Sequence, residues 1–382
     1  MSFMSKYLII DNYNKTGEIM NKLFTAVAFM AVSSSLAFAG GHGGSSDKSG
    51  ASAAHSGNGV HFFGRLYVGY DNKETSAADG TDNIRDNGGK SRLGIKFKEN
   101  LGSMSLIGHA EWKFDIADGT TGNGSDTACT GARDCRTFNL HVGNLGFLTG
   151  LGYIGIGSFE SPYKMMGMYD SNMDTALALN QHGGTSNGSH GIAGTWDSSI
   201  SYHAAMGPIE VAYMRGMAEA TSGSNAASNV NKGDYAFGLK FKHIMPGLEF
   251  GMARSHDSSA STGAGLSNDK IFASYKVMPN MGVFYTSEEV EIVTTVANAG
   301  IIGLAGDITT MGIHYTMGNN MIQLVTASGN MDTASSDYST FSISNQMNLS
   351  KSTDITIGYT KKGPEAAVAD TRTYGIGITH KF

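Results

Sequence analysis

Long apolar runs, excess positive charge and cysteine are all scarce in this sequence. Outside the N-terminal segment, no run approaches the roughly 20 apolar residues that a transmembrane helix needs, so any membrane-spanning part has to consist of strands. The formal net charge is -6 at pH 7, which argues against nucleic-acid binding because nucleic-acid-binding surfaces are usually basic. The two cysteines allow at most one internal disulfide.

Glycine and aromatic residues are abundant instead. The 382 residues include 52 Gly, 16 Tyr and 18 Phe but only 5 Pro. This composition is typical of many short strands joined by turns, and it predicts an all-β protein.

An export signal is predicted at the N-terminus. Lys22 precedes an apolar stretch over residues 23–39, which closes with Ala37-Phe38-Ala39, and this order is typical of a secretory signal peptide. We therefore interpret residues 1–39 as an upstream segment plus signal peptide, with Met20 as the true start. Residues 40–59, rich in Gly, Ser, Ala and His, are predicted to be a flexible linker. Weak metal binding by its histidines is the less favoured alternative.

Export fixes the expected chemistry of the cysteines. Cys129 and Cys135 are close in sequence, and two nearby cysteines in an oxidising compartment most often pair. A zinc site is less favoured, because their spacing is too wide and a second ligand pair is missing.

The rest of the chain divides into sixteen segments of strand-like alternation. They are predicted near residues 60–70, 91–99, 103–114, 136–144, 150–158, 198–205, 208–216, 234–243, 248–256, 269–277, 281–288, 308–317, 320–328, 338–348, 353–361 and 371–382. Short Gly/Pro/Asn turns alternate along the chain with long polar connections, predicted over 71–90, 115–135, 159–197, 217–233, 257–268, 289–306, 329–337 and 362–370. Short turns at one rim and long loops at the other are typical of an outer-membrane β-barrel.

Alternation within the strands fits a water-filled interior. In the second predicted strand, Leu93, Ile95 and Phe97 share one face, and Arg92, Lys96 and Lys98 share the other. A solid core would not accept those cations, whereas an aqueous lumen or a solvated outer face would. The last predicted strand has one apolar face and one polar face, and it ends on Phe382. We expect it to close the barrel by pairing with residues 60–70.

Three motifs and the terminal Phe resemble the general porins of Gram-negative bacteria, which are trimeric sixteen-stranded diffusion channels. The motifs begin at Phe63-Gly64-Arg65, at Ser91-Arg92-Leu93 and at Gly155-Ile156-Gly157. The resemblance implies a barrel over residues 60–382, with short periplasmic turns and long extracellular loops. It also implies an outer-membrane location, a homotrimer, contact with outer-membrane lipid, and passage of small hydrophilic solutes and ions. No cofactor or metal is implied.

In that family the third long loop folds inward and narrows the pore, with acids opposite wall cations. Carried over by position, the resemblance implies a constriction made by eight residues of this sequence: Arg65, Arg92, Glu111, Lys113, Arg136, Glu160, Asp170 and Asp174.

Two departures of this sequence from the family pattern leave the ion selectivity open. Ser158 stands where many relatives have arginine, and the loop carries Met165, Met166, Met168 and Met173 in place of the usual Pro-Glu-Phe-Gly-Gly. These methionines are expected to pack against the wall, with copper(I) binding as the alternative.

Two other functions compete with the channel. A secreted β-rich adhesin or surface-layer protein would share the export signal and composition, but it gives no reason for the terminal Phe. An outer-membrane barrel enzyme would use His141, His190 with Ser189, or His203 with Ser201. None of these lies in a recognisable nucleophile motif, so we do not expect an enzyme.

Overall fold

A computed structural model describes most of the chain after the N-terminal segment. The described residues are 58–75, 78–86, 91–117, 138–184, 192–217, 233–257, 265–292, 305–332, 336–364 and 370–382. The predicted signal peptide and nearly all of the predicted linker lie outside them, as do Cys129 and Cys135.

Seventeen β-strands in a single antiparallel sheet make up the described fold. In chain order they are β1 (Gly59–Thr75), β2 (Ala78–Arg85), β3 (Ser91–Asn100), β4 (Ser105–Phe114), β5 (Asn139–Thr149), β6 (Gly152–Glu160), β7 (Thr195–Met206), β8 (Ile209–Gly216), β9 (Tyr235–Lys242), β10 (Leu248–Asp257), β11 (Leu266–Met278), β12 (Met281–Ile292), β13 (Gly306–Met317), β14 (Asn320–Met331), β15 (Tyr338–Asn348), β16 (Thr353–Pro364) and β17 (Thr371–Lys381). The sixteen predicted strands are all present, with boundaries shifted by a few residues.

The first and last strands close the sheet into a barrel, as the sequence predicts. β17 pairs with β1 in a register that runs from Arg65 opposite Lys381 to Thr75 opposite Thr371. Phe382 extends the pairing, because its amide donates to the Gly64 carbonyl at 3.0 Å and its carbonyl accepts from the Gly64 amide at 2.9 Å. Among the described strands, closure pairs β1 and β17 on both sides, so neither end of the sheet is a free edge.

One strand was not predicted. β2 lies within the stretch 71–90, which is predicted from the sequence to be a loop, and it pairs with the second half of β1 over Gly69–Thr75. β3 pairs with the first half of β1, from Gly59 to Arg65. Because β2 and β3 occupy one position beside β1 in turn, the seventeen described strands form a barrel of sixteen strand positions.

Side chains alternate between the two faces of the barrel wall. In β17, Thr373, Gly375 and Gly377 are buried, whereas Ile376 and Ile378 are exposed. The exposed face is rich in Ile, Leu, Met and aromatic residues on every side of the barrel, as expected for a surface covered by lipid. The buried face is polar over much of its extent and lines the lumen.

The connections alternate in length. The turns after β3, β5, β7, β9, β11, β13 and β15 are short, and those after β4, β6, β8, β10, β12, β14 and β16 are longer. Gly318 shows why glycine is needed at a short turn, since its φ of 58° lies in the left-handed region. We call the two rims the short-turn end and the long-connection end. Within the part of the chain that the structure describes, no helix is both long and apolar enough to cross a membrane.

Candidate functional site

The connection that follows β6 turns into the barrel. We call residues 161–184 the inner loop. It starts with one helical turn, α1 (Pro162–Met165), and contains a 3-10 turn at Leu179–Gln181. Ser161 caps α1, because its hydroxyl accepts a hydrogen bond from the Lys164 amide at 3.1 Å, and Pro162 supplies a favourable first-turn φ.

The first half of the inner loop is fixed to the wall at β9, β10 and β11. Lys270 Nζ in β11 donates to the Tyr163 carbonyl at 2.6 Å and lies 4.3 Å from the centre of the Tyr163 ring. The Tyr169 hydroxyl donates to Glu249 in β10 at 3.2 Å. Met166 packs onto the backbone at Gly238, where an added Cβ would meet its sulfur at 2.4 Å. This packing is the expected role for a methionine of the loop.

The second half reaches the opposite side of the barrel. The Ser171 amide donates to Gln323 Oε1 in β14 at 3.0 Å. Leu177 is fully buried and packs against the glycine positions 358 and 375 in β16 and β17. The Tyr338 hydroxyl in β15 donates to the Gly183 carbonyl at 2.8 Å. The inner loop therefore contacts lumen-facing residues on most of the barrel's circumference.

A row of cations lies on the wall beside the inner loop. Strand register places Arg65 directly opposite Arg92, Arg92 opposite Lys113 and Lys381 opposite Arg65. All four belong to the lumen-facing parity of their strands, and Arg65 and Arg92 are buried. The sequence predicts the first three of these as wall cations; Lys381 was not included, although it lies on the polar face of the last strand.

Asp174 joins the inner loop to this row. Its Oδ2 lies 2.8 Å from an Arg65 guanidinium nitrogen and 3.5 Å from one of Arg92. Its backbone is left-handed, with φ of 73°, a conformation that Asp and Asn adopt more readily than other non-glycine residues. The sequence predicts that these charges face each other across an opening. In the structure they are in direct contact, so the loop is docked on the cationic wall at this point.

Glu111 is the wall carboxylate of the same cluster. Its Oε1 lies 3.2 Å from Arg92 and 2.6 Å from His141 Nδ1. The opposite ring nitrogen of His141 lies 3.2 Å from the Thr195 hydroxyl. Arg92 is therefore held between one carboxylate from the wall and one from the inner loop. Charge-assisted pairs of this kind fix side-chain geometry more strongly than neutral ones.

Asp170 is placed differently from the prediction. Its Oδ1 accepts from the Asn172 amide at 2.9 Å and its Oδ2 from the Leu179 amide at 2.7 Å, so its carboxylate binds the loop's own backbone instead of a wall cation. Burial, opposed by the two amides and assisted by nearby Asp174, raises the pKa of Asp170 from its ordinary value to about 7. This residue shapes the loop.

Glu160, at the end of β6, also has a local partner. Its Oε1 lies 2.6 Å from Lys164 Nζ, one helical turn further along the chain. Lys164 was missed by sequence reasoning, although the four-residue spacing from Glu160 is a known signal for an ion pair. Arg136 lies outside the described residues, so its predicted place in the constriction stays a prediction; the described strand β5 begins at Asn139.

The described histidines that an enzyme site would use contact other side chains of the barrel wall. His203 Nε2 lies 3.0 Å from Glu210, and His141 is part of the cluster around Glu111. Ser189 and His190 lie outside the described residues. His182, in the inner loop, is buried, and burial lowers its pKa; the ring is neutral and Nε2 donates to the Ala176 carbonyl at 2.9 Å.

The family of this barrel follows from a match between its sequence and a known family. Residues 26–366 match the sequence model of a family described as Gram-negative porin. The chain belongs to the Gram-negative porin family. It is an outer-membrane channel for the diffusion of solutes, and its family and fold indicate a channel instead of an enzyme. A comparison with curated proteins finds no significant match.

Solved structures of porins share the fold at low sequence identity. The anion-selective porin from Comamonas acidovorans is 18% identical, with a TM-score of 0.60, and the match covers 85% of this chain and 100% of that one. The trimer form of OmpT, an outer-membrane protein of Vibrio cholerae, is 14% identical, with a TM-score of 0.58 and coverage of 85% and 100%. A mutant of the Rh. blastica porin is 11% identical, with a TM-score of 0.51 and the same coverage.

Proposed function

We propose that the inner loop and the cation row form the selective constriction of this channel. The observation that carries the proposal is the contact of Asp174 with both Arg65 and Arg92. It brings the loop carboxylate to a wall site where Glu111 is the second acid. Charges of both signs at a narrow part of a pore create a local field that acts on every permeating ion or polar solute.

Water in the lumen is what makes so many charged residues tolerable. Isolated charges in a dry interior cost several kcal/mol each even after relaxation, and Lys96, Lys98 and Lys242 add to those of the constriction along the lumen-facing parity of β3 and β9. A lumen containing water lowers that cost. The solutes that fit such a path are small hydrophilic molecules and ions.

We also infer a homotrimer with its short turns on the periplasmic side. The support is the family to which the chain belongs and a structural relative that is described as a trimer. The apolar outer face is compatible with both lipid and neighbouring subunits.

Reconstitution of the folded protein tests the proposal. We expect a heat-modifiable band on gels, stepwise conductance in planar bilayers, and swelling of liposomes in small neutral sugars that declines as sugar size increases. Cross-linking should give a trimer. A lipid-hydrolysis assay on the same sample is expected to be negative. Folded protein that gives neither conductance nor swelling would contradict the channel, and swelling that does not depend on sugar size would contradict the constriction.

A further inference from the structure

A second charged cluster lies in the lumen, at the short-turn end of β7, β8 and β9. Glu210 is at its centre. Its Oε1 lies 3.0 Å from His203 Nε2, its Oε2 lies 3.2 Å from Lys240 Nζ, and Lys242 Nζ contacts the same oxygen. One carboxylate thus serves two ammonium groups. Glu249 in β10 lies opposite Lys242, and Lys276 in β11 lies two residues beyond Ser274, the partner of Glu249. Three lysines therefore face two glutamates, which leaves the cluster with excess positive charge.

The cluster faces the lumen. Gly238, on the same parity of β9 as Lys240 and Lys242, is where Met166 of the inner loop packs. Ala212, on the same parity of β8 as Glu210, belongs to a buried cluster with Met166. Lys242 is 28% exposed at its side chain, so an ion in the lumen can approach it.

The two ends of the lumen carry opposite charge. At or near the long-connection ends of their strands, four aspartates are buried: Asp71, Asp115, Asp234 and Asp257. Towards the short-turn end, and apart from the cation row, the lumen-facing parity carries five lysines: Lys96, Lys98, Lys240, Lys242 and Lys276. The acids on that parity near the short turns are fewer, namely Glu210, Glu249 and Asp354. Two lysines, Lys73 and Lys362, share the lumen-facing parity near the long-connection end. Among the described residues, acids therefore outnumber lysines by four to two at that end, and lysines outnumber acids by five to three near the short turns.

We propose that Lys240 and Lys242 form an anion-attracting station at the short-turn end, and that its opposition to the aspartate end makes the conductance of the channel asymmetric. The inference rests on the proposed diffusion channel and is separate from the constriction at Arg65 and Arg92. Small inorganic anions and solutes with carboxylate or phosphate groups are the class that the station attracts.

The asymmetry follows from where mobile ions accumulate. Anions concentrate at the basic end and cations at the acidic end. A voltage that drives both from these ends towards the middle raises the ion concentration in the pore, and the opposite voltage lowers it. Current is therefore larger when the long-connection side is positive. Salt weakens the effect, because the Debye length falls from about 10 Å at 0.1 M to about 3 Å at 1 M.

Single-channel recording in KCl at equal voltages of both signs tests the station. For the wild type we expect a ratio of larger to smaller current on the order of 1.5 to 2 at about 0.1 M, falling towards unity at about 1 M. The double variant Lys240→Gln with Lys242→Gln should bring the low-salt ratio close to unity and lower the anion-to-cation permeability ratio. Glu210→Gln should act in the opposite direction and raise the anion-to-cation permeability ratio, because it leaves both ammonium groups without their carboxylate.

Lys361→Gln is the matched control. Lys361 forms an ion pair with Asp370 at 2.7 Å, but it lies on the outward parity of β16, opposite the exposed Phe341. Its replacement should leave the current ratio unchanged. Channels with symmetric current at low salt, or a double variant with the wild-type ratio, would overturn the inference while the diffusion channel stands. Absence of any current would overturn the proposed function and this inference with it.

Discussion

Asp174 of the inner loop contacts Arg65 of the first strand, with 2.8 Å between the carboxylate and guanidinium. These two residues lie over a hundred positions apart in the chain, and the contact is buried at both side chains. Removing one partner of a buried ion pair leaves the charge of the other partner buried and unneutralised. This destabilises the folded protein more than the loss of an exposed ion pair does. The pair therefore links the position of the loop to the charge of the wall.

Leu177 should be a main apolar anchor of the inner loop. Replacement by Ala removes a buried side chain that packs against Gly358 and Gly375, and we expect a loss of about 2–4 kcal/mol in the free energy of unfolding. Leu151→Ala is the matched control, because Leu151 is 80% exposed and should lose little. Urea unfolding followed by tryptophan fluorescence measures both. Equal losses in the two variants would contradict the anchoring role.

Gly167 should be intolerant of a side chain for two separable reasons. Its φ is 73°, and an added Cβ would lie 2.4 Å from Phe272 Cγ. Gly207 has a φ of 58° but nothing near an added Cβ. Gly207→Ala should cost about 1–2 kcal/mol for backbone strain alone, and Gly167→Ala should cost more because Phe272 has to move. Thermal unfolding of both variants checks this. A loss at Gly167 no greater than at Gly207 would contradict the packing of the loop on Phe272.

Asp170 should make stability depend on pH between about 4 and 7. Its pKa is raised from an ordinary value of 3.8 to about 7, so the folded protein binds more protons than the unfolded chain across that window. Stability should therefore fall as pH rises from about 4 to about 7, and then level off. A shift of one pKa unit corresponds to about 1.4 kcal/mol, which makes the expected loss on the order of 2–4 kcal/mol.

Asp170→Asn should remove this dependence, since Asn does not titrate. The measurement is the unfolding midpoint of wild type and variant at several pH values, with the difference between them taken at each pH. A difference that does not change between pH 4 and pH 7, or that changes with the opposite sign, would contradict the assignment.

The barrel could be predicted from the sequence because period-two alternation and turn residues are local signals. The pairing of residues 60–70 with the terminal strand follows from the need to leave no free edge, and the structure confirms it. β2 was missed because its sequence, Ala-Asp-Gly-Thr-Asp-Asn-Ile-Arg, has no apolar alternation. It extends the wall beyond β3 at the long-connection end, where no lipid-facing stripe is required.

The constriction could be predicted only in part. Parity places Arg65, Arg92, Lys113 and Glu111 on the lumen face, and the register confirms that they are neighbours. The path of the inner loop depends on contacts with distant strands, such as Ser171 with Gln323. No local signal shows that Asp170 binds backbone amides while Asp174, four residues later, reaches the arginines.

The reversal potential in a KCl gradient tests the central claim most directly, with Asp174→Asn compared against Asp170→Asn. Both variants remove one carboxylate from the inner loop, and Asn tolerates the left-handed backbone of Asp174. We expect Asp174→Asn to raise the anion-to-cation permeability ratio by about twofold, because Arg65 and Arg92 lose their loop carboxylate. Asp170→Asn should leave the ratio close to that of the wild type. Equal shifts in the two variants, or no shift in Asp174→Asn, would contradict a constriction formed by Asp174 on the cation row.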